Sequence, residues 1–138
     1  MPNSRPGASS VRVLLDTHAF LWWLDGDRRL SKRARILISD SDTDVLVSAA
    51  SAWEISTKHR LGKLPGAEDV ARDIVGCIAR QQFSSLDITP HHAQRAGGLH
   101  IPHRDPFDRM LIAQAQMEDL PMISNEALFD DFGITRIW

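Results

Sequence analysis

The chain has 138 residues, 43% of them hydrophobic and 25% charged, a profile that excludes a disordered polymer and leaves room for one hydrophobic core but not two. Its formal charge of -2 excludes the uniformly basic character of a general nucleic-acid coat, though not a local basic groove. A single cysteine, Cys77, excludes an intrachain disulfide and a cysteine-built zinc site and fits a reducing cytoplasm, and no apolar run approaches the roughly 20 residues of a membrane span.

Met1 to Ser10 is polar and rich in Pro, Gly and Ser; it lacks the apolar stretch of a signal peptide and reads as a loose tail, leaving residues 11–138 as one domain. Val11 to Leu15 is a short, nearly continuous apolar run, as expected of a strand buried on both faces. After Asp16, Thr17 to Leu24 reads helical and Gly26 ends it; Ser31 then caps a basic helix to about Ser39. Val45-Leu46-Val47 is a second buried strand, followed by a helix from Ala49 to Leu61 closed by Gly62. One helix is expected over Glu68 to Arg80, a short strand at Leu86-Asp87-Ile88, and a helix opened by Thr89-Pro90 and running to about Gly97. Asp105-Pro106 opens the next helix, to about Asp119. Met122-Ile123 and Ile134 to Ile137 are the last strands, flanking a short helix around Ala127 to Asp130. Strands alternating with helices over short connections predict an α/β domain, an α/β/α sandwich on a mostly parallel sheet.

Four acids fall at the ends of these elements: Asp16 after the first strand, Glu54 and Asp108 about one turn inside helices, and Glu126 just past Met122-Ile123-Ser124. In parallel α/β sheets ligands sit beyond the carboxyl ends of the strands, so the four can converge in one crevice. Carboxylates gathered there repel one another unless a cation lies between them, and Mg²⁺ or Mn²⁺ suits all-oxygen ligands. Each acid also has an ordinary reading. Asp16 and Asp105 make helix caps, Asp108 favours a helix dipole, Glu54 is spaced for an ion pair with Lys58, and Glu126 is an acid in a first turn. Glu54 beside Trp53 and Ile55, and Asp108 before Met110-Leu111-Ile112-Ala113, enter apolar helices where unpaired charge is expensive.

Leu14-Leu15-Asp16-Thr17-His18 with Leu21-Trp22-Trp23, then Trp53-Glu54-Ile55, then His103-Arg104-Asp105-Pro106-Phe107-Asp108-Arg109, then Ile123-Ser124-Asn125-Glu126, resembles the PIN-domain family. Within it the likeness is to the VapC-type toxins of bacterial toxin–antitoxin pairs, and it covers about Val11 to Trp138. The resemblance implies a PIN-like sandwich and a Mg²⁺- or Mn²⁺-dependent endoribonuclease. It implies metal-binding and catalytic roles for Asp16, Glu54 and Asp108, with Glu126 where the family often has a fourth acid, usually Asp. The extra methylene of Glu126 suits binding through water. Asp105 belongs to the motif, and helix capping beside the site is its preferred role. The implied partners are an RNA substrate, a small VapB-type antitoxin whose tail lies across the site, and a second copy of the chain.

Two basic clusters are available to a polyanion: Arg28, Arg29, Lys32, Arg33 and Arg35, and Lys58, His59, Arg60 and Lys63; each equally describes a solvated helical face. His91-His92 and His100 with His103 lack the partner ligands of a zinc motif. Trp22 and Trp23 with Leu21 and Leu24 are more apolar than one helix face can bury, which suggests a dimer face or partner groove. The second residue after Asp16 is His18, not the acid a HAD-type phosphatase needs, and no Gly-rich phosphate loop occurs. From another class, the alternative is a non-catalytic module binding RNA or protein, or a degenerate nuclease, whose acids act mainly as caps.

Overall fold

Val11–Leu15 forms strand β1 and Thr43–Ser48 forms β2, aligned in parallel from Val11 opposite Thr43 to Leu15 opposite Val47. Beyond their first two, more exposed positions both carry the apolar run that double-sided burial requires, and Val13, Leu14 and Leu15 have no exposed surface. The computed structural model describes residues 11–138; the tail read over Met1–Ser10 lies outside the described residues. Ser84–Leu86 (β3), Met122–Ile123 (β4) and Arg136–Ile137 (β5) complete a five-stranded sheet of order β3-β2-β1-β4-β5, every pair parallel.

The helices are α1 (Thr17–Asp25), α2 (Lys32–Ser39), α3 (Ala49–Arg60), α4 (Glu68–Arg72), α5 (Ile74–Arg80), α6 (Pro90–Gly98) and α7 (Pro106–Glu118), with a 3-10 turn at Ala127–Phe132. The alternation of side chains along the strands divides the core in two. Val13, Leu15, Val45, Val47 and Ile123 pack with Ala19 and Phe20 of α1, Ala34 and Ile38 of α2 and Ile74, Cys77 and Ile78 of α5. On the other face Leu14, Leu46 and Met122 meet Leu111, Ile112 and Ala115 of α7 and Phe129. None of the helices among the described residues is long and apolar enough to cross a membrane.

Two sequence expectations are corrected. The helix expected over Glu68 to Arg80 is two helices, broken at Asp73, whose backbone (φ -153°, ψ 71°) leaves the helical region while its side chain accepts from the Gly76 amide to cap α5. The third strand sits two residues earlier than Leu86-Asp87-Ile88, because β2 pairs with Ser84 and Ser85, and Ser84 Oγ donates to Asp44 Oδ1 at 2.7 Å. The two tryptophans of α1 also find partners within the chain. Trp22 meets the edge of Trp138 (5.9 Å between centroids) beneath the Arg29 guanidinium; Trp23 packs on Phe83 and donates to Gln81 Oε1 at 2.8 Å. Both are half-buried, so the apolar surplus read from the sequence is smaller than it looks there.

Candidate active site

β1 lies between β2 and β4, so the chain leaves β1 to one side for the first crossover and to the other later: this is the switch point at which such sheets open a crevice. Asp16 follows β1 directly and caps α1, Oδ1 accepting from the Ala19 amide at 2.7 Å. Glu54 stands in the second turn of α3, and Asp105 and Asp108 at the start of α7. Glu126 lies past β4, its amide donating to Ser124 Oγ at 2.9 Å. Asp16, Glu54, Asp108 and Glu126 line one cleft of about 90 Å³, together with Asp105, Thr17, His18 and Lys58. The convergence expected from element ends alone is therefore present.

The acids are unusually dry. Asp16 is 4% exposed and Glu54 5%. Burial pushes the Asp16 pKa up to about 6, against the hydrogen bonds from Ser124 and Ala19 that lower it, and Glu126 raises it further. Burial likewise raises Asp108, opposed by its bond from His103 and reinforced by Asp105 and Glu126. Glu126 thus acts on both Asp16 and Asp108, which places its charge in the same field.

One cation and two further hydrogen-bond donors already answer part of this negative charge. Lys58 Nζ donates to Glu54 Oε2 at 2.5 Å, and Thr17 Oγ1 donates to Glu54 Oε1 at 2.5 Å while bonded to Ser51 Oγ at 2.9 Å. Burial alone would lower the Lys58 pKa, but the bond to Glu54 and the charges of Glu54, Asp105 and Asp108 raise it. His103 Nε2 donates to Asp108 Oδ2 at 2.7 Å. In this arrangement no three Asp, Glu, His or Cys side chains among the described residues stand close enough to grip one ion. The donor chemistry nonetheless fits a hard divalent cation: five carboxylates and two hydroxyl-bearing neighbours, Thr17 and Ser124, with the Lys58 ammonium where positive charge is wanted.

Some ordinary roles are also fulfilled. Asp105 Oδ1 accepts from the amides of Phe107 (2.8 Å) and Asp108 (3.1 Å), the capping role preferred for it, and Asp16 is a true cap. Capping explains neither the burial of Glu54 nor the pressure on Asp108. Of the first basic cluster, Arg29, between α1 and α2, pairs with Asp27, and Arg35 of α2 donates to the Asp27 and Leu30 carbonyls, so neither reaches the cleft. His92 is a buried structural residue: Nδ1 accepts from the Thr89 amide at 3.0 Å, leaving Nε2–H to donate to Glu118 at 2.9 Å. Sequence reasoning gave Arg109 no role, yet its guanidinium and Nε bind backbone carbonyls from Ala96 to His103 and fix the segment that carries His103 and Asp105. Its place in the motif was the available signal.

Comparison with known proteins agrees with this architecture. A ribonuclease of Mycobacterium tuberculosis, VapC16, is 39% identical over 66 residues, a match spanning 46% of this chain and about half (47%) of that protein. A toxin–antitoxin complex from Klebsiella pneumoniae superimposes with a TM-score of 0.63 at 19% identity, covering 91% of this chain and 96% of the other. VapBC2 from Rickettsia felis, bound to a DNA fragment from its promoter, gives 0.61 at 13% identity, covering 92% and 98%. At such identities the likeness to the solved structures is one of fold. The model of the PIN domain matches residues 13–134, which takes in β2, β3 and β4, most of β1 and all four converging acids, and the chain therefore belongs to the PIN domain family.

Proposed function

We propose that this chain is a divalent-metal-dependent endoribonuclease, the toxin of a VapBC-type toxin–antitoxin pair, hydrolysing RNA phosphodiester bonds in the acidic cleft. The observation that carries the reading is the meeting of Asp16, Glu54, Asp108 and Glu126 in one cleft at the switch point of a PIN-domain sheet. The similarity to VapC16 and to toxin–antitoxin complexes supports it.

Asp16, Glu54 and Asp108 would hold Mg²⁺ or Mn²⁺, with Glu126 reaching it through water. Such an ion, when bound, offsets charge on the scissile phosphate and acidifies a water. The chain's own residues do the positioning. Thr17, itself bonded to Ser51, fixes the Glu54 carboxylate, Ser124 and the α1 amide fix Asp16, and His103 aims Asp108. Asp108, the most open of the three principal acids, is suited to orient the attacking water and receive its proton. A small antitoxin and a second copy of the chain are the proposed partners, and the mass in solution is expected to be that of a dimer; a monomer at micromolar concentration in sedimentation would count against the second copy.

The test is cleavage of total RNA with Mg²⁺, Mn²⁺ or EDTA, with thermal melting alongside. Fragments are expected only with metal, and Asp108→Ala is expected to abolish them without loss of fold. Absence of both cleavage and any metal-induced rise in melting temperature would replace this reading with the non-catalytic binding module, since a ligand of the folded state must stabilise it.

A further inference from the structure

Lys58 stands inside the acidic cleft with its ammonium against Glu54, Nζ to Oε2 at 2.5 Å. It differs from an ordinary solvated bridge one helical turn apart, because the Glu54 side chain is only 6% exposed and that of Lys58 31%. The other carboxylate oxygen is held by Thr17, so Glu54 is fixed in place and presents Oε2 to whatever cation is nearby. An ammonium and a divalent ion cannot both sit against that oxygen without strong repulsion at low dielectric. Lys58 is rooted on α3, and its flexible four-carbon stem lets the ammonium leave Glu54 by bond rotation while staying within the cleft. An incoming RNA phosphate offers it a new anionic partner at the same place.

Resting on the reading of this cleft as a metal-dependent nuclease site, we propose that Lys58 is a two-position residue: it occupies Glu54 until a divalent cation arrives, then binds a non-bridging oxygen of the scissile phosphate. Lys58 is thereby a substrate-binding residue that also delays loading of metal. An Arg at this position keeps both contacts, and a Met keeps neither.

The experiment compares wild type, Lys58→Met and Lys58→Arg as full chains, measuring binding of Mn²⁺ alone by calorimetry, melting temperature, and kcat and KM on single-stranded RNA at saturating Mn²⁺. For Lys58→Met, Mn²⁺ is expected to bind about five-fold tighter or more once the competing charge is gone. Its kcat/KM is nevertheless expected to fall at least about ten-fold, as befits loss of a cation aimed at the phosphate. Lys58→Arg stays within a few-fold of wild type in both. The opposed signs are the signature. A Lys58→Met protein that binds Mn²⁺ more weakly, melts lower and cuts more slowly shows a structural strut and overturns the proposal; tighter Mn²⁺ with unchanged cleavage shows a mere counter-charge and also overturns it. Wild type that binds no Mn²⁺ and cuts no RNA fails the reading of the site itself, an outcome separate from the other two.

Discussion

Asp16→Asn is expected to abolish RNA cleavage and, at the same time, to make the metal-free chain more resistant to heat. The reason lies in where Asp16 sits: 4% exposed, with a pKa raised by burial from 3.8 to about 6. Its carboxyl holds a proton more tightly folded than unfolded, so the stability it lends is complete below pH 3.8 and drains away as pH rises to about 6. Above that, the ionised group is a standing penalty of about 3 kcal/mol, at roughly 1.4 kcal/mol for each tenfold gain in proton affinity. Asn has the same shape, still offers Oδ1 to the Ala19 amide, and carries no charge at any pH. In EDTA at pH 7.5 its melting temperature should therefore exceed that of wild type by several degrees, while the two converge towards pH 4. Cleavage with Mn²⁺ should drop by on the order of a thousand-fold or more, because the deepest of the anionic oxygens has been lost. Melting curves at three pH values with and without Mn²⁺, beside an RNA cleavage assay, measure both effects. An Asp16→Asn protein that melts below wild type at pH 7.5 would falsify the account of Asp16 as a buried charge awaiting a cation.

That trade-off marks which parts of this molecule a sequence can disclose. β1 and β2 were legible because the stretches covered on both faces, Val13 to Leu15 and Val45 to Val47, must be apolar, and Asp16 was legible because it ends such a stretch. The exact place of β3 was not, since Ser84 and Ser85 lie on an edge strand and are held by backbone pairing, with the Asp44 carboxylate binding Ser84, neither of which leaves a hydrophobic pattern. The break at Asp73 was hidden because apolar residues on both sides keep helical spacing, and one carboxylate decides the matter by bonding an amide three residues on. In the site, the acids announce themselves by position, whereas their answering charges do not. Lys58 has the spacing of a commonplace surface pair, and only the burial of Glu54 separates it from one. The tryptophans of α1 err the other way: their partners Phe83 and Trp138 come from distant sequence, so a local count of apolar side chains overstates the exposed surface.

Arg109→Ala should destabilise the fold by about 2–4 kcal/mol and disable the cleft with it, although Arg109 touches no acid. Five carbonyls depend on this one side chain. Nε donates to Ala96 O at 3.0 Å, one terminal nitrogen to His103 O at 2.9 Å and Ile101 O at 3.4 Å, and the other to Leu99 O at 2.7 Å and Gly97 O at 3.4 Å. Ala96 and Gly97 belong to the last turn of α6, whose carbonyls have no helical partner, and residues 99–105 form no regular structure that would supply donors. Truncation takes the donor from these oxygens, four of them in part-buried contacts, and the segment loosens. Lys does not rescue it, because a single ammonium cannot serve carbonyls spread around a planar fork. His103 and Asp105 sit on that segment, and both act on the first turn of α7: one bonds the Asp108 carboxylate at 2.7 Å and the other caps the turn. Cleavage should consequently fall at least about ten-fold even below the melting range, because a ligand displaced by a fraction of an ångström no longer completes the site. Melting temperatures and Mn²⁺ affinities of Arg109→Ala and Arg109→Lys against wild type measure this. Two variants melting within about a degree of wild type would show that the segment is held by its own packing, leaving Arg109 as a passenger in the motif.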